Sequence, residues 1–205
     1  MVDKSLRCTR DAVPDPNIID ALQHAAKSGH LHVVKRLIND GVADLDCALY
    51  AAAKFGYLDI VECLINHGAI SLDWALQGAA KSGYVGIVKY LINHGATDLD
   101  GALSIAASYG RLPVVKYLII HGAISLDWAL CVAAESGRLP VVKYLINLGA
   151  TDLDYALYDA ARCGHLHIVK YLDYGVTDLY DALRVATRCG HLHVVEYLVA
   201  LGAPE

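Results

Sequence analysis

Glycine recurs along this chain with a fixed spacing. One set comprises Gly29, Gly56, Gly83, Gly110, Gly137, Gly164 and Gly190, and a second set comprises Gly41, Gly68, Gly95, Gly122, Gly149, Gly175 and Gly202. The spacing within each set is 27 residues, apart from one step of 26. Self-similarity at one fixed period is the signature of repeat architectures. We therefore interpret the chain as a tandem array of seven units.

One octapeptide, AISLDWAL, occurs twice, at Ala69–Leu76 and at Ala123–Leu130, which is two periods apart. The units between and after carry ATDLD instead, at Ala96–Asp100 and Ala150–Asp154. Duplication of a two-unit block explains this alternation most simply. The one missing residue falls in the segment Lys170–Gly175.

Each unit has the pattern of two helices of about 10 residues, and each helix is expected to end at a glycine in the left-handed conformation. A residue that can cap the first helix precedes it in all seven units. These residues are Asn17, Asp44, Ser71, Asp98, Ser125, Asp152 and Asp178. Helices this short are not stable alone in water, so neighbouring units must bury each other's faces.

Charge and composition exclude several classes of protein. The net charge is −5 and no basic run occurs, which argues against a nucleic-acid partner. No apolar run approaches the roughly 18 residues of a membrane helix, and the N-terminus lacks a signal sequence. The six cysteines form no CxxC pair, which favours free thiols in a reducing compartment, so we predict a cytoplasmic protein.

The segments Gly29–Gly41 and Gly164–Leu172, with the A-A-x-x-G pattern of Ala79–Gly83, resemble ankyrin repeats. The resemblance extends from about Ile18 to Ala203 and implies an all-α solenoid of seven stacked helix-turn-helix units. Two departures stand out: L-D-x-A-L replaces the usual T-P-L-H, and each unit is about six residues short of 33. The missing residues fall where the family has its β-hairpin finger, so truncated fingers are expected. Such short units resemble the arrays of large DNA viruses and protists.

We expect two regions in the chain. Residues 1–17 are an N-terminal segment that caps the first unit, and residues 18–205 form the repeat domain. The expected units are about 18–44, 45–71, 72–98, 99–125, 126–152, 153–178 and 179–205. The resemblance implies a non-enzymatic module that binds a protein partner on the concave face of the first helices.

Numbered from the capping residue, positions 2, 5, 6, 9 and 10 of each first helix are apolar in the repeated pattern. Positions 4, 7, 8 and 11 vary between units and are expected to form the exposed face, although exposed positions also vary by drift alone. The predicted partner-binding residues are Trp74, Ile105, Tyr109, Trp128, Val132, Tyr155, Tyr158 and Arg162. Gly101 lies between the units that carry Trp74 and Trp128, which suggests a notch between the two indoles that receives a side chain or helix of the partner. Alternatively, each indole folds over the neighbouring unit and fills space left by the missing finger.

No catalytic constellation is visible, so we predict that the chain is not an enzyme and has neither a cofactor nor a metal. The HLH segments place histidines two apart, where side chains on a helix diverge. Cys163 and Cys189 occupy equivalent positions about 10 Å apart, beyond the reach of a disulfide. Aspartates such as Asp73 recur in the first turn, where they stabilise the helix dipole.

Two other functions stay open. The last helix, in Val194–Glu205, is less polar than its internal equivalents. Either further units follow it in a longer protein, or this end makes a contact, which suggests a structural or self-assembling role with end-to-end association into a homo-oligomer. An engineered array is the third alternative, against which the missing residue in the sixth unit argues.

Overall fold

The computed structural model describes residues 16–173, 175–176 and 178–203. Over these residues the backbone forms fourteen α-helices and no strand. The first helices are α1 (Pro16–Lys27), α3 (Asp46–Phe55), α5 (Leu72–Ser82), α7 (Leu99–Ser108), α9 (Leu126–Glu135), α11 (Leu153–Arg162) and α13 (Leu179–Cys189). The second helices are α2 (Leu31–Asn39), α4 (Leu58–Asn66), α6 (Val85–Asn93), α8 (Leu112–Ile120), α10 (Leu139–Asn147), α12 (Leu166–Leu172) and α14 (Leu192–Ala200). The predicted all-α solenoid of seven hairpins is confirmed.

The core runs without interruption through the stack. In the third unit Leu76 and Ala79 of α5 and Val88 and Leu91 of α6 are fully buried. Alanine at the repeated positions lets neighbouring helices approach closely, and the branched residues fill the space between the two helical layers. All of these side chains belong to one cluster that extends from Leu22 to Ala203, so no unit has a core of its own.

Successive first helices pack together more extensively than successive second helices do. A stack that is tighter on one side bends toward that side, so the first helices line the concave face.

The two glycine sets lie where helices end. Gly83 follows α5 with φ +93°, and Gly95 follows α6 with φ +105°. Left-handed backbone at these positions reverses the chain and leaves the last carbonyls of the helix available to later N–H groups. Gly175, in the unit that lacks a residue, is the one member of the two sets without a positive φ.

The expected capping of the first helices is correct only in part. Side chains of Asp44, Asp98 and Asp178 accept hydrogen bonds from N–H groups of the first turn of their helices. Ser71, Ser125 and Asp152 make no such bond. The hydroxyl of Ser71 donates instead to the carboxylate of Asp46 in the preceding unit, at 2.7 Å.

The first helix begins at Pro16, so Asn17 lies inside it rather than before it. The rest of the predicted capping segment, residues 1–15, lies outside the described residues. In the part of the chain that the structure does describe, no helix combines the length and the apolar character needed to cross a membrane.

Candidate functional site

Aromatic side chains project from position 4 of the first helices. Trp74 is 43 % exposed, Trp128 is 64 % exposed and Tyr155 is 68 % exposed. Tyr109, at the end of α7, is exposed beside them, and the ammonium of Lys81 lies 4.8 Å from its ring centroid. Hydrogen bonding to this ammonium lowers the pKa of Tyr109. The position-4 aromatics therefore form an open row along the concave face.

The two tryptophans of the duplicated octapeptide have different surroundings. The indole of Trp74 stacks on Tyr50 of the preceding unit, with ring centroids 4.5 Å apart and planes 13° apart. Trp128 stacks on no ring among the described residues. The space-filling alternative fits Trp74, and an open docking side chain fits Trp128.

The notch expected at Gly101 is occupied by polar groups. The carboxylate of Asp98 accepts from the backbone N–H of Gly101 at 3.0 Å and from the amide of Gln77 at 2.8 Å. A methyl group on Gly101 would overlap with Asp98 Oδ2. A carboxylate held at the start of α7 therefore lies between the two tryptophans.

The exposed face is narrower than the sequence predicts, because position 8 belongs largely to the core. Ala51, Gly78 and Val185 are buried there, and Ile105 and Val132 are half-buried. Around the helix, position 8 lies close enough to the buried positions 5 and 9 for its side chain to face the adjacent first helix. Ile105 and Val132 were predicted as binding residues, and the structure leaves only an edge of each accessible.

Tyr158 and Arg162 lie deeper than Tyr155 on the same helix, α11. The Tyr158 ring is half-buried and packs against the core. The guanidinium of Arg162 donates to Glu135 at 2.9 Å and to Asp159 at 3.0 Å, and these bonds, with Glu135 contributing most, raise its pKa. Arg162 therefore ties the fifth unit to the sixth.

A cavity of about 480 Å³ opens between the first helices of the sixth and seventh units. Its lining consists of Asp154, Tyr155, Tyr158, Asp159, Asp178, Asp181 and Ala182. Sequence reasoning placed the two tyrosines here but missed the carboxylates. The signal was present, since aspartate occurs at positions 3 and 8 of the sixth unit and at positions 1 and 4 of the seventh.

The periodic aspartates of the first turn have a role that sequence reasoning missed. Asp100 accepts from the backbone N–H groups of Ile124 and Ser125 at 2.8 and 2.9 Å, and Asp127 accepts from those of Thr151 and Asp152. Each carboxylate thus binds the loop of the following unit, where the family has its finger. The sequence signal is that this aspartate occupies position 3 of units two to six only.

The HLH histidines of the sixth and seventh units contact the preceding unit. His165 Nε2 lies 2.9 Å from the carbonyl oxygen of Glu135, and His191 Nε2 lies 3.0 Å from that of Arg162. In the units with arginine at this position, Arg111 and Arg138 donate to equivalent carbonyls at 3.0 and 2.9 Å. The described residues contain no group of three or more His, Cys, Asp or Glu side chains placed to hold a metal ion.

The seventh unit exposes apolar surface on the side that faces away from the sixth unit. A second cavity, of about 500 Å³, is lined by Tyr180, Leu183, Arg184, Thr187, Arg188, Val195 and Val199. Leu192 on the same helix as Val199 is 71 % exposed. Internal units cover the equivalent surface with the first helix of the next unit.

Comparison with known proteins addresses the resemblance directly. The family model described as Ankyrin repeats (3 copies) matches residues 4–73, 73–127 and 130–204. Among solved structures, the human ASB11 ankyrin repeat domain superposes with a TM-score of 0.69 at 22 % identity, over 86 % of this chain and 96 % of that chain. A comparison with curated proteins gave no match. Neither match supports the narrower resemblance to viral or protist arrays.

Proposed function

The chain belongs to the ankyrin repeat family, and from this premise we propose that it binds a protein partner on the concave face of its first helices. Ankyrin repeats serve generally as interaction modules without catalytic activity. The observation that supports this face is the row of position-4 aromatics, above all Trp128 and Tyr155. Exposed aromatic side chains on adjoining elements are typical of the energetically dominant part of a protein interface.

The predicted contact set divides into two groups. Trp128 and Tyr155 offer most of their surface to a partner, at 64 % and 68 % exposed. Trp74 and Tyr109 are less exposed, because Trp74 stacks on Tyr50 and Lys81 lies over the Tyr109 ring. Ile105, Val132, Tyr158 and Arg162 form the half-buried base beneath them. We infer that the exposed group supplies the binding energy and the half-buried group supplies the shape of the surface.

The interaction takes place inside the cell under this proposal. Cys63 and Cys131 are core side chains with free thiols, and the described part of the chain has three further free cysteines. Free thiols that contribute to packing suit a reducing compartment.

The test compares the wild-type array with a Trp128→Ala/Tyr155→Ala double variant in affinity capture from a cell lysate. The expected result is loss of specifically captured proteins without loss of the thermal unfolding transition. Ile120→Ala is the matched control, because Ile120 is 76 % exposed but lies at the end of a second helix. Capture that is equal in all three proteins would refute the concave face as the binding surface.

Self-association through the last unit is the second candidate function, and the apolar cavity beside Val199 favours it. Sedimentation velocity over a range of concentrations measures it. A Val199→Asp variant is expected to abolish any dimer that the wild-type protein forms. A wild-type protein that remains monomeric at the highest concentration would eliminate this function.

A further inference from the structure

The cavity between α11 and α13 combines aromatic walls with carboxylates. Tyr155 and Tyr158 line it from α11, and Asp181 lines it from α13. The Tyr155 side chain is 68 % exposed, so the ring is accessible to a ligand that enters from solvent.

Carboxylates outnumber cations around this cavity. Four aspartates line it, and two arginines lie beside it: Arg162 donates to Asp159 Oδ1 at 3.0 Å, and Arg184 donates to Asp181 Oδ1 at 2.9 Å. Asp178 Oδ1 accepts from backbone N–H groups at the start of its own helix. The second oxygen, Oδ2, of Asp159, Asp178 and Asp181 has no partner in the part of the chain that the structure describes.

The whole edge on which the cavity opens is acidic. In all seven units the six residues from the capping position onward include no lysine or arginine. Aspartates at these positions outside the cavity are Asp20, Asp44, Asp46, Asp73, Asp98, Asp100, Asp127 and Asp152. Many of them accept from neutral N–H groups, which leaves the negative charge in place. The field along this edge therefore attracts cations and repels anions.

We propose that the cavity receives a lysine or arginine side chain from a basic segment of the protein partner, and that an apolar residue of the same segment lies on Trp128. This inference rests on the proposed function, because it assigns a chemistry to the partner of the same face. A cation above an exposed tyrosine ring is favourable, and carboxylate oxygens on the opposite wall complete its hydrogen bonds. Trp128 belongs to the unit that adjoins Tyr155, about 10 Å away, which one short segment spans.

Three fluorescently labelled synthetic peptides of equal length test the proposal. Leucine alternates with lysine in the first peptide, with glutamate in the second and with serine in the third. Fluorescence anisotropy is expected to show the lysine peptide binding about tenfold more tightly than the serine peptide, which corresponds to one or two charged contacts. The glutamate peptide should not bind. Raising the ionic strength should weaken binding of the lysine peptide.

Variants locate the binding site. Tyr155→Ala and Asp178→Asn are each expected to weaken the lysine peptide by about threefold to tenfold. Asparagine still caps α13, so Asp178→Asn removes charge while it preserves the helix start. Asp59→Asn on α4 is the control, because Asp59 is exposed and also lies in the first turn of a helix, but far from the cavity. Circular dichroism verifies that each variant is folded.

The outcomes separate this inference from the proposed function. Equal binding of the lysine and serine peptides, or equal weakening by Asp59→Asn and Asp178→Asn, overturns the cationic specificity of the cavity. If protein capture still depends on Trp128 and Tyr155 in that case, the concave face binds a partner of other chemistry. If capture is also unaffected, both proposals fail.

Discussion

The backbone N–H of Asp98 donates a hydrogen bond of 2.9 Å to Asp73 Oδ1, and this bond joins the fourth unit to the third. The N–H of Thr97 donates to the same oxygen at 2.6 Å. The equivalent pair of bonds reaches Asp46 from Ile70 and Ser71. In a unit without a finger, these carboxylates supply the contact between loops that strand pairing would otherwise provide.

Removal of one such carboxylate should weaken the stack. Asp73→Ala is expected to lower the free energy of unfolding by about 1–3 kcal/mol, because it leaves two N–H groups of the next unit without their charged acceptor. Urea denaturation measures the change. Asp59→Ala is a matched control, since Asp59 also lies in the first turn of a helix but, among the residues that the structure describes, accepts only from its neighbour Ile60. Equal losses in the two variants would show that the helix dipole alone accounts for the effect of Asp73.

The same bonds predict acid sensitivity. The N–H of Asp98, opposed by burial and assisted by Thr97, holds the pKa of Asp73 below its ordinary value of 3.8. Burial raises the pKa of Asp46, but hydrogen bonds from Ser71 and Ile70 lower it further than burial raises it. A group with a depressed pKa in the folded state stabilises the protein above its unfolded pKa, and this stability is lost as the pH falls through the folded value.

We therefore expect the free energy of unfolding to fall as the pH drops below about 5. Asp73→Asn should be less stable than the wild type at neutral pH and should lose less stability on acidification. Urea titrations at a series of pH values measure both slopes. Parallel slopes in the two proteins would mean that Asp73 has the same pKa in the folded and unfolded chains.

Alanine substitutions at two glycines with similar backbone conformations should reveal how much the contact between units contributes to stability. Gly164 has φ +75° and lies under the imidazole of His191, so an added methyl group would be 2.7 Å from Nδ1. Gly149 has φ +99° and has nothing within 4 Å of the position of that methyl group. Both substitutions by alanine strain the backbone by about 1 kcal/mol, but only Gly164→Ala displaces His191.

Gly164→Ala is therefore expected to cost more stability than Gly149→Ala in thermal unfolding. His191 also bonds to the carbonyl of Arg162, and its displacement breaks that bond. In the His191→Ala background the two glycine substitutions should cost the same. If Gly164→Ala stays more costly there, the difference arises within the sixth unit and not between the units.

Alanine substitutions of the two tryptophans should differ in their effect on stability. Trp74→Ala removes a ring stacked on Tyr50, whereas Trp128→Ala removes a ring that is 64 % exposed. The stack contributes about 0.5–1.5 kcal/mol beyond its buried area, so Trp74→Ala should be the more destabilising variant by at least that amount. Chemical denaturation measures the pair under identical conditions. A larger loss for Trp128→Ala would contradict the open orientation of its indole.

The period of the glycines was sufficient to predict seven units of paired short helices, and the apolar spacing predicted which side of each helix is buried. The resemblance to ankyrin repeats supplied the arrangement of these units as a solenoid. The predicted site was less accurate for two physical reasons. Position 8 lies near the boundary of the buried stripe, where a small rotation decides whether Val132 faces solvent or a neighbouring helix. The contact of Asp73 with the next unit depends on where a loop passes in space, which spacing along one helix does not reveal.

Cys131, at position 7 of the fifth unit, allows the accessibility of this part of the concave face to be measured by the reactivity of its thiol. Burial, reinforced by the nearby Asp152 and Asp159 charges, raises the pKa of Cys131 to about 12. At pH 8 only about one in ten thousand such thiols is ionised, and the thiolate is the form that reacts with iodoacetamide. In the folded protein Cys131 should therefore be alkylated far more slowly than the exposed Cys189, as mass spectrometry of the digested protein would show. In urea the two rates should become similar, whereas similar rates in the folded state would place position 7 on the open surface beside Trp128.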